Sequence, residues 1–325
     1  MTEADEQKLE RLVRHAGRRT PLPDDIRARL ENTFRKELHL ARGRKLRRKL
    51  QIYSGIAASI FLTVALVLFN NQRLERPEVA TVERSKGQTF WQNEVQKGPL
   101  RSGNKIQAND IIRTSEGWLA IKPHGFNIDI RINRMTEIEF IDQESVRLVK
   151  GSLYIDAGRS AEHQSFRILA NGISIEHVGT QYLVSSGSDG ISIAVREGEV
   201  VIAARDQLVR SSAFGNAAQL TKIDANHKFS TTSILTHGQL WSWASTVAPD
   251  IDTNGMALDD FLEWVARESG MTIVYASADI REAASKDVIL KGPIPTEDVL
   301  VALQMAMPLT PFRASITNGV IHVDI

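Results

Sequence analysis

ISIEHVGTQYLVSSGSDGISIAVREGEVVI, residues 173–202, decides the fold class. Apolar and polar residues alternate through ISIEHV at 173–178, QYLV at 181–184 and ISIAVREGEVVI at 191–202. That is the period of a strand with one face buried. Upstream the same alternation recurs in IDIRI at 128–132, TEIEFI at 136–141, SLYIDA at 152–157 and SFRILA at 165–170. Gly, Asn and Asp punctuate the runs, and no long helical stretch intervenes between about residues 79 and 235. The pattern predicts a mainly β domain, a sandwich, roll or helix-like stack of short strands. The acids in IDIRI and EIEF alternate with apolar residues, so they are expected to face solvent.

Downstream the pattern changes. Residues 257–269 place Leu258, Phe261, Leu262 and Val265 on one helical face, ended by Gly270. MTIVYA at 271–276 and VILKG at 288–292 read as strands. Thr296 is placed to cap a helix running to about Met307, with Glu297 and Asp298 in its first turn and Pro308 closing it. FRASI at 312–316 and GVIHVDI at 319–325 read as a final hairpin. Residues 246–325 are therefore expected to form a small α+β module of order α-β-β-α-β-β, with a further strand at about 250–253 leading in. Between the two regions lies ILTHGQLWSWAST at 234–246, where Trp241 and Trp243 share a side if the chain is extended. These rings are expected to pack between domains.

At the other end, IYSGIAASIFLTVALVLF at 52–69 holds 18 residues with no charge and no proline. As a helix it would span about 27 Å, close to the hydrocarbon thickness of a bilayer. The 51 residues before it are too many for the leading part of a signal peptide, so an uncleaved anchor is expected. RGRKLRRK at 42–49 carries six basic residues, whereas Arg73 and Arg76 on the far side are offset by Glu75 and Glu78. The positive-inside rule then predicts a bacterial inner-membrane protein with its N-terminus in the cytoplasm and its C-terminus in the periplasm. The basic run is explained by this topology, and no direct nucleic-acid partner is expected. Residues 1–51 carry 15 Lys/Arg against 8 Asp/Glu, although the whole chain has a net charge of +1. Leu9, Leu12 and Val13 fall at helical spacing, and Ile26, Leu30, Phe34 and Leu38 recur every four residues after a cap at Asp24. Two such short helices cannot bury a core alone, so these apolar stripes are candidate partner-binding residues. The domain plan is a cytoplasmic helical segment at 1–49, a transmembrane helix at 50–70, a β domain at 71–245 and the α+β module at 246–325.

Several chemistries find no footing. With no cysteine, disulfides, thiol catalysis and cysteine-based zinc sites are excluded. The eight histidines show no metal-ligand spacing. Ser102 to Lys105 is formally S-x-x-K but lacks its partner motifs. No cofactor, metal or small-molecule substrate is expected, and the protein is read as no enzyme toward external substrates.

Four segments carry a family resemblance: ANDIIRT at 108–114, KGSLYIDAG at 150–158, VGTQYLV at 178–184 and VREGEVVI at 195–202. Their order and spacing resemble the FecR domain of bacterial inner-membrane signal transducers, many of which regulate sigma factors in iron-uptake signalling. The likeness covers about half the chain. It implies a cytoplasmic ECF-type sigma factor as partner. SGMTIVYA at 269–276, LKG at 290–292 and the closing hairpin resemble the short N-terminal domain of secretins and TonB-dependent receptors. That implies contact with the signalling domain of an outer-membrane TonB-dependent receptor. Residues 1–49 contain no tryptophan, whereas typical FecR regulators carry tryptophans in this segment. Several family members resemble self-cleaving proteins at a matching Gly-Thr bond, which here is Gly179-Thr180. The Thr180 hydroxyl would attack the Gly179 carbonyl and water would open the ester. The alternative for the whole chain is a non-catalytic envelope scaffolding protein with no transcriptional role.

Overall fold

A computed structural model describes residues 10–11, 13–14, 23–29, 31–33, 35, 63, 76–93, 95–158, 166–205, 207–213 and 217–325. The chain divides into two compact units, Met1–Glu75 and Arg76–Ile325.

In the first unit the described residues at 10–35 are helical, Pro23 excepted. The Pro23 carbonyl accepts from the Ile26 and Arg27 amides, so Asp24 lies in the first helical turn and not at the cap. Val13 is 70% exposed and Ile26 43%. Leu9, Leu12, Leu30, Phe34 and Leu38 lie outside the described residues, as does the 52–69 segment apart from Thr63. Among the described residues no helix is long and apolar enough to cross a membrane.

The second unit is mostly strand. Its β region contains β1 (Glu78–Lys86), β2 (Thr89–Gln92), β3 (Lys97–Pro99), β4 (Lys105–Gln107), β5 (Ile111–Thr114), β6 (Trp118–Pro123), β7 (Asp129–Ile132), β8 (Glu137–Phe140) and β9 (Ser145–Asp156). There follow β10 (Arg167–Ala170), β11 (Ile173–Gly187), β12 (Gly190–Ala204), β13 (Gln207–Ser212), β14 (Ala217–Ile223) and β15 (Phe229–Leu235). All fifteen join one sheet, whose main path runs β15-β14-β12-β11-β10-β9-β7-β6-β1-β4. The predicted alternation holds: Val82, Ile106, Ile121, Ile138, Ile155, Ile175 and Ile193 come from seven strands and meet in one core at full burial. At about 1.5–3 kcal/mol per buried side chain, this core dominates the stability of the β region.

The runs ISIEHV and QYLV, separate in the sequence pattern, form one continuous strand, β11. A bulge at Gly179-Thr180 lets the strand pass through the interruption.

Beyond β15 the chain forms α1 (Gln239–Ser245), α2 (Leu258–Ser269), β16 (Thr272–Tyr275), α3 (Ala278–Lys286), α4 (Val299–Ala306), a 3-10 turn over Met307–Leu309, β17 (Arg313–Thr317) and β18 (Val320–Asp324). The tryptophans sit on helix α1, not on extended chain, and they end on different surroundings. Trp241 is 1% exposed and packs with Tyr154, Leu183, Ala194 and Ala218 on the outer face of the sheet, while Trp243 is only partly buried there. VILKG is not a strand: Ile289 makes a single bridge to Ala257. Residues 250–253 are not a strand either. The module gains α3 instead, capped by the Ser277 hydroxyl, which accepts from the Ile280 amide. This helix buries only Ile280 and Ala284, too thin a stripe to register as a period. Asp298, not Thr296, caps α4, accepting from the Leu300 and Val301 amides. The order is thus α2-β16-α3-α4-β17-β18, with β18 between its parallel neighbour β16 and antiparallel β17. Leu258, Phe261, Leu262, Val265, Leu303 and Ile321 build a second, separate core.

Candidate functional site

Two features meet where the α+β module lies on the sheet. The first is the bulge. Val178 pairs with Glu199 and Gln181 with Glu197, so Gly179 and Thr180 together face Gly198 alone. A second offset between Gln181 and Tyr182 leaves Arg196 as the extra residue on β12, and the register is restored. Bulges re-aim side chains in this way. Gly179 (φ 59°) and Gly198 (φ 76°) are both left-handed, a region costly for other residues. They also press together: a methyl on Gly198 would stand 2.5 Å from the Gly179 carbonyl oxygen. Thr180 is 1% exposed. Its hydroxyl donates to the Glu199 carbonyl (2.9 Å), and its own carbonyl accepts from the Ala157 amide (3.0 Å). His177, on the same strand, is buried beside Tyr182 with ring centroids 5.9 Å apart. Burial lowers the His177 pKa below its ordinary value.

The second feature is a buried charge cluster. Ile128, just before β7, and Ile130 and Ile132 within it face the sheet core. Alternation turns Asp129 and Arg131 to the opposite face, where α1 and α2 cover Arg131. The expectation of solvent-facing charge therefore fails here: Arg131 is 1% exposed. Its guanidinium grips Glu268 of α2 with two bonds, Nη1 to Oε2 (2.6 Å) and Nη2 to Oε1 (2.9 Å), and Nη1 also donates to the Ala244 carbonyl (3.1 Å). Burial opposes the Arg131 charge, but the Glu268 carboxylate outweighs it and holds the pKa above the ordinary value. Arg196 stacks on Trp241, 4.4 Å from the ring centroid, and donates to the Glu268 carbonyl (3.3 Å) at the α2 C-terminus. There its charge complements the helix dipole.

Arg267 of α2 pairs with Asp156 of β9 and with Glu197 of β12 (3.2 Å). Asp156 also accepts from the Gln181 side-chain amide (2.9 Å). Burial opposes ionisation of Asp156, yet Arg267 and then Arg131 hold its pKa below the usual carboxylate value. Asp129 stands directly across from Asp156 on the neighbouring strand. Burial first, and the Glu83 charge second, push its pKa up to about 6. A cleft of about 420 Å³ opens beside the cluster, bordered by Gln181, Arg196, Glu197, Arg267 and Tyr275. Among the described residues no group of His, Asp and Glu side chains is placed to hold a metal ion.

Residues 112–201 match the FecR protein family. The FecR match begins in β5 and ends in β12, and it contains the bulge, Arg131, Asp156 and Arg196. It does not contain Arg267 or Glu268. No curated protein matches the chain. Two crystal structures of a putative anti-sigma factor from Parabacteroides distasonis are similar at 13% identity. One covers 66% of this chain and 98% of its own, with a TM-score of 0.35. The other covers 60% and 89%, with a TM-score of 0.29.

Gly179 and Thr180 lie at the bulge, whereas the charge cluster involves residues that the sequence pattern did not single out. Glu268 sits three residues after Val265 on the buried face of α2. A carboxylate in an apolar stripe was the available signal, and it calls for a buried cation.

Proposed function

We propose that the chain is a single-pass inner-membrane signal transducer that regulates a cytoplasmic ECF-type sigma factor. The FecR match at residues 112–201 carries this reading. The apolar run at 52–69 and its basic flank support the topology, with residues 1–49 in the cytoplasm and the FecR region in the periplasm. The exposed Val13 and Ile26 suit a segment that completes its apolar contacts on a partner. The α+β module receives the signal, from an outer-membrane TonB-dependent receptor in iron-siderophore uptake. Affinity capture with the tagged full chain from detergent extracts is expected to recover a sigma factor, and capture is expected to fail when residues 1–49 are deleted. Recovery of none, with unchanged transcription on gene deletion, would favour an envelope scaffold instead.

Gly179-Thr180 is proposed as a self-cleavage bond. The Thr180 Oγ1 bonds to the Gly179 carbonyl carbon, the Gly179–Thr180 C–N bond breaks, and the nitrogen takes the hydroxyl proton. Water then hydrolyses the ester to a Gly179 carboxylate and the free Thr180 hydroxyl. The left-handed Gly179 and the anchored Thr180 hydroxyl support this assignment. Blotting a C-terminally tagged chain is expected to show a shortened fragment for wild type and only full length for Thr180→Ala. Full length for both would remove the cleavage step.

A further inference from the structure

We infer that docking of the α+β module onto the sheet fixes the backbone at Gly179-Thr180 through Arg267. This deepens the proposal for that bond by naming its control. The physical coupling can be tested whether or not the bond is ever cut.

The geometry runs through one guanidinium. Gln181 and Glu197 face each other across β11 and β12 and close the bulge on its C-terminal side. Arg267 bonds Glu197 directly, and it reaches Gln181 through Asp156. Asp156 precedes Ala157, whose amide donates to the Thr180 carbonyl (3.0 Å). Both strands of the bulge are therefore tied to α2, an element of a different core. Further pairs fasten the same module to β1: Lys86 to Glu297 (3.3 Å), and Arg84 to Asp250 just ahead of α2. Those pairs have exposed partners and contribute little alone. Thr236 donates to the Gly270 carbonyl (2.7 Å) at the end of α2.

Undocking has a defined electrostatic result. Without Arg267, Asp156 faces Asp129 with its nearest cation gone, and Arg131 loses Glu268 in the same movement. Asp156 then gives up its fixed position, and Gln181 loses its partner. Thr180 is buried and Gly179 partly exposed while the module is docked, and this loosening frees the backbone of the bond to distort. A ligand of the module thus acts on the bond by shifting one docking equilibrium.

Amide hydrogen exchange on the full chain tests the coupling. Arg267→Ala is expected to raise exchange in peptides covering residues 176–184 at least about tenfold, the size of a typical coupling between sites. Arg281→Ala, which removes pairs to Asp259 and Glu263 inside the module, is expected to leave those peptides unchanged. Glu268→Gln loosens docking without touching Asp156 and is expected to act like Arg267→Ala, which keeps the test open if Arg267→Ala fails to fold. Faster exchange in α2 with residues 176–184 at wild-type protection would overturn the coupling. Equal acceleration by Arg281→Ala would overturn it as well, because the effect would then be general loosening.

Discussion

Glu268→Ala is expected to destabilise the docked state by about 3–5 kcal/mol, the usual cost of stripping one partner from a buried ion pair. Arg131 remains 1% exposed with both terminal nitrogens robbed of their carboxylate. The second core survives, because Glu268 lies outside the cluster that holds the module together. The module should therefore lift from the sheet before it unfolds. All five tryptophans lie between residues 91 and 264, so tryptophan fluorescence during urea unfolding reports on the second unit alone. An early transition is expected in Glu268→Ala and absent in wild type. Replacing both partners, Arg131→Met with Glu268→Leu, should restore much of the loss, since matched apolar side chains often equal a buried pair. A single unchanged transition in Glu268→Ala would show that the pair contributes nothing to docking.

Asp129→Asn is expected to stabilise the second unit at pH 8 by about 1–3 kcal/mol, and to have no effect at pH 4. The folded-state pKa is raised from 3.8 to about 6, and Oδ1 is buried with no hydrogen-bond partner among the described residues. The folded state therefore holds this proton more tightly than the unfolded chain does. Stability from this group is present below pH 3.8 and is lost as pH rises towards about 6. Above that window the ionised carboxylate stands opposite Asp156 at full cost, which asparagine does not incur. Urea midpoints of both proteins at pH 4 and pH 8 check this. A gain of the same size at both values would trace to packing and not to charge.

The β region was legible because its core positions follow period two with isoleucine and valine, and the core residues of β7, β11 and β12 obey it. What blurred β11 was the bulge, yet it leaves a trace in the pattern. Core positions are odd-numbered at Ile173 and Ile175 and even-numbered at Tyr182 and Val184. On β12 they switch from Ile191, Ile193 and Val195 to Val200 and Ile202. Both changes of parity fall at the paired glycines, so the site was encoded as a break in period. The charge cluster was less legible for a physical reason. Arg131 occupies the face that solvent takes in an isolated sheet, and the docked α1 and α2 cover it. Tertiary cover of this kind leaves no local period. The short helices α1 and α3 were missed because each buries just two residues.

The hairpin of β11 and β12 also has a mechanical meaning. Ile173–Val178 lies along Glu199–Ala204, and Gln181–Gly187 lies along Gly190–Glu197. One unbroken strand thus spans both sides of the Gly179-Thr180 joint like a splint. A nick there would produce two chains but a single particle, because the first half of β11 stays paired with β12, the second half with β9, and both pieces share one core. The two pieces could then carry tension without a covalent link, with a threshold set by the paired strands, the shared core and the ion pairs that join them.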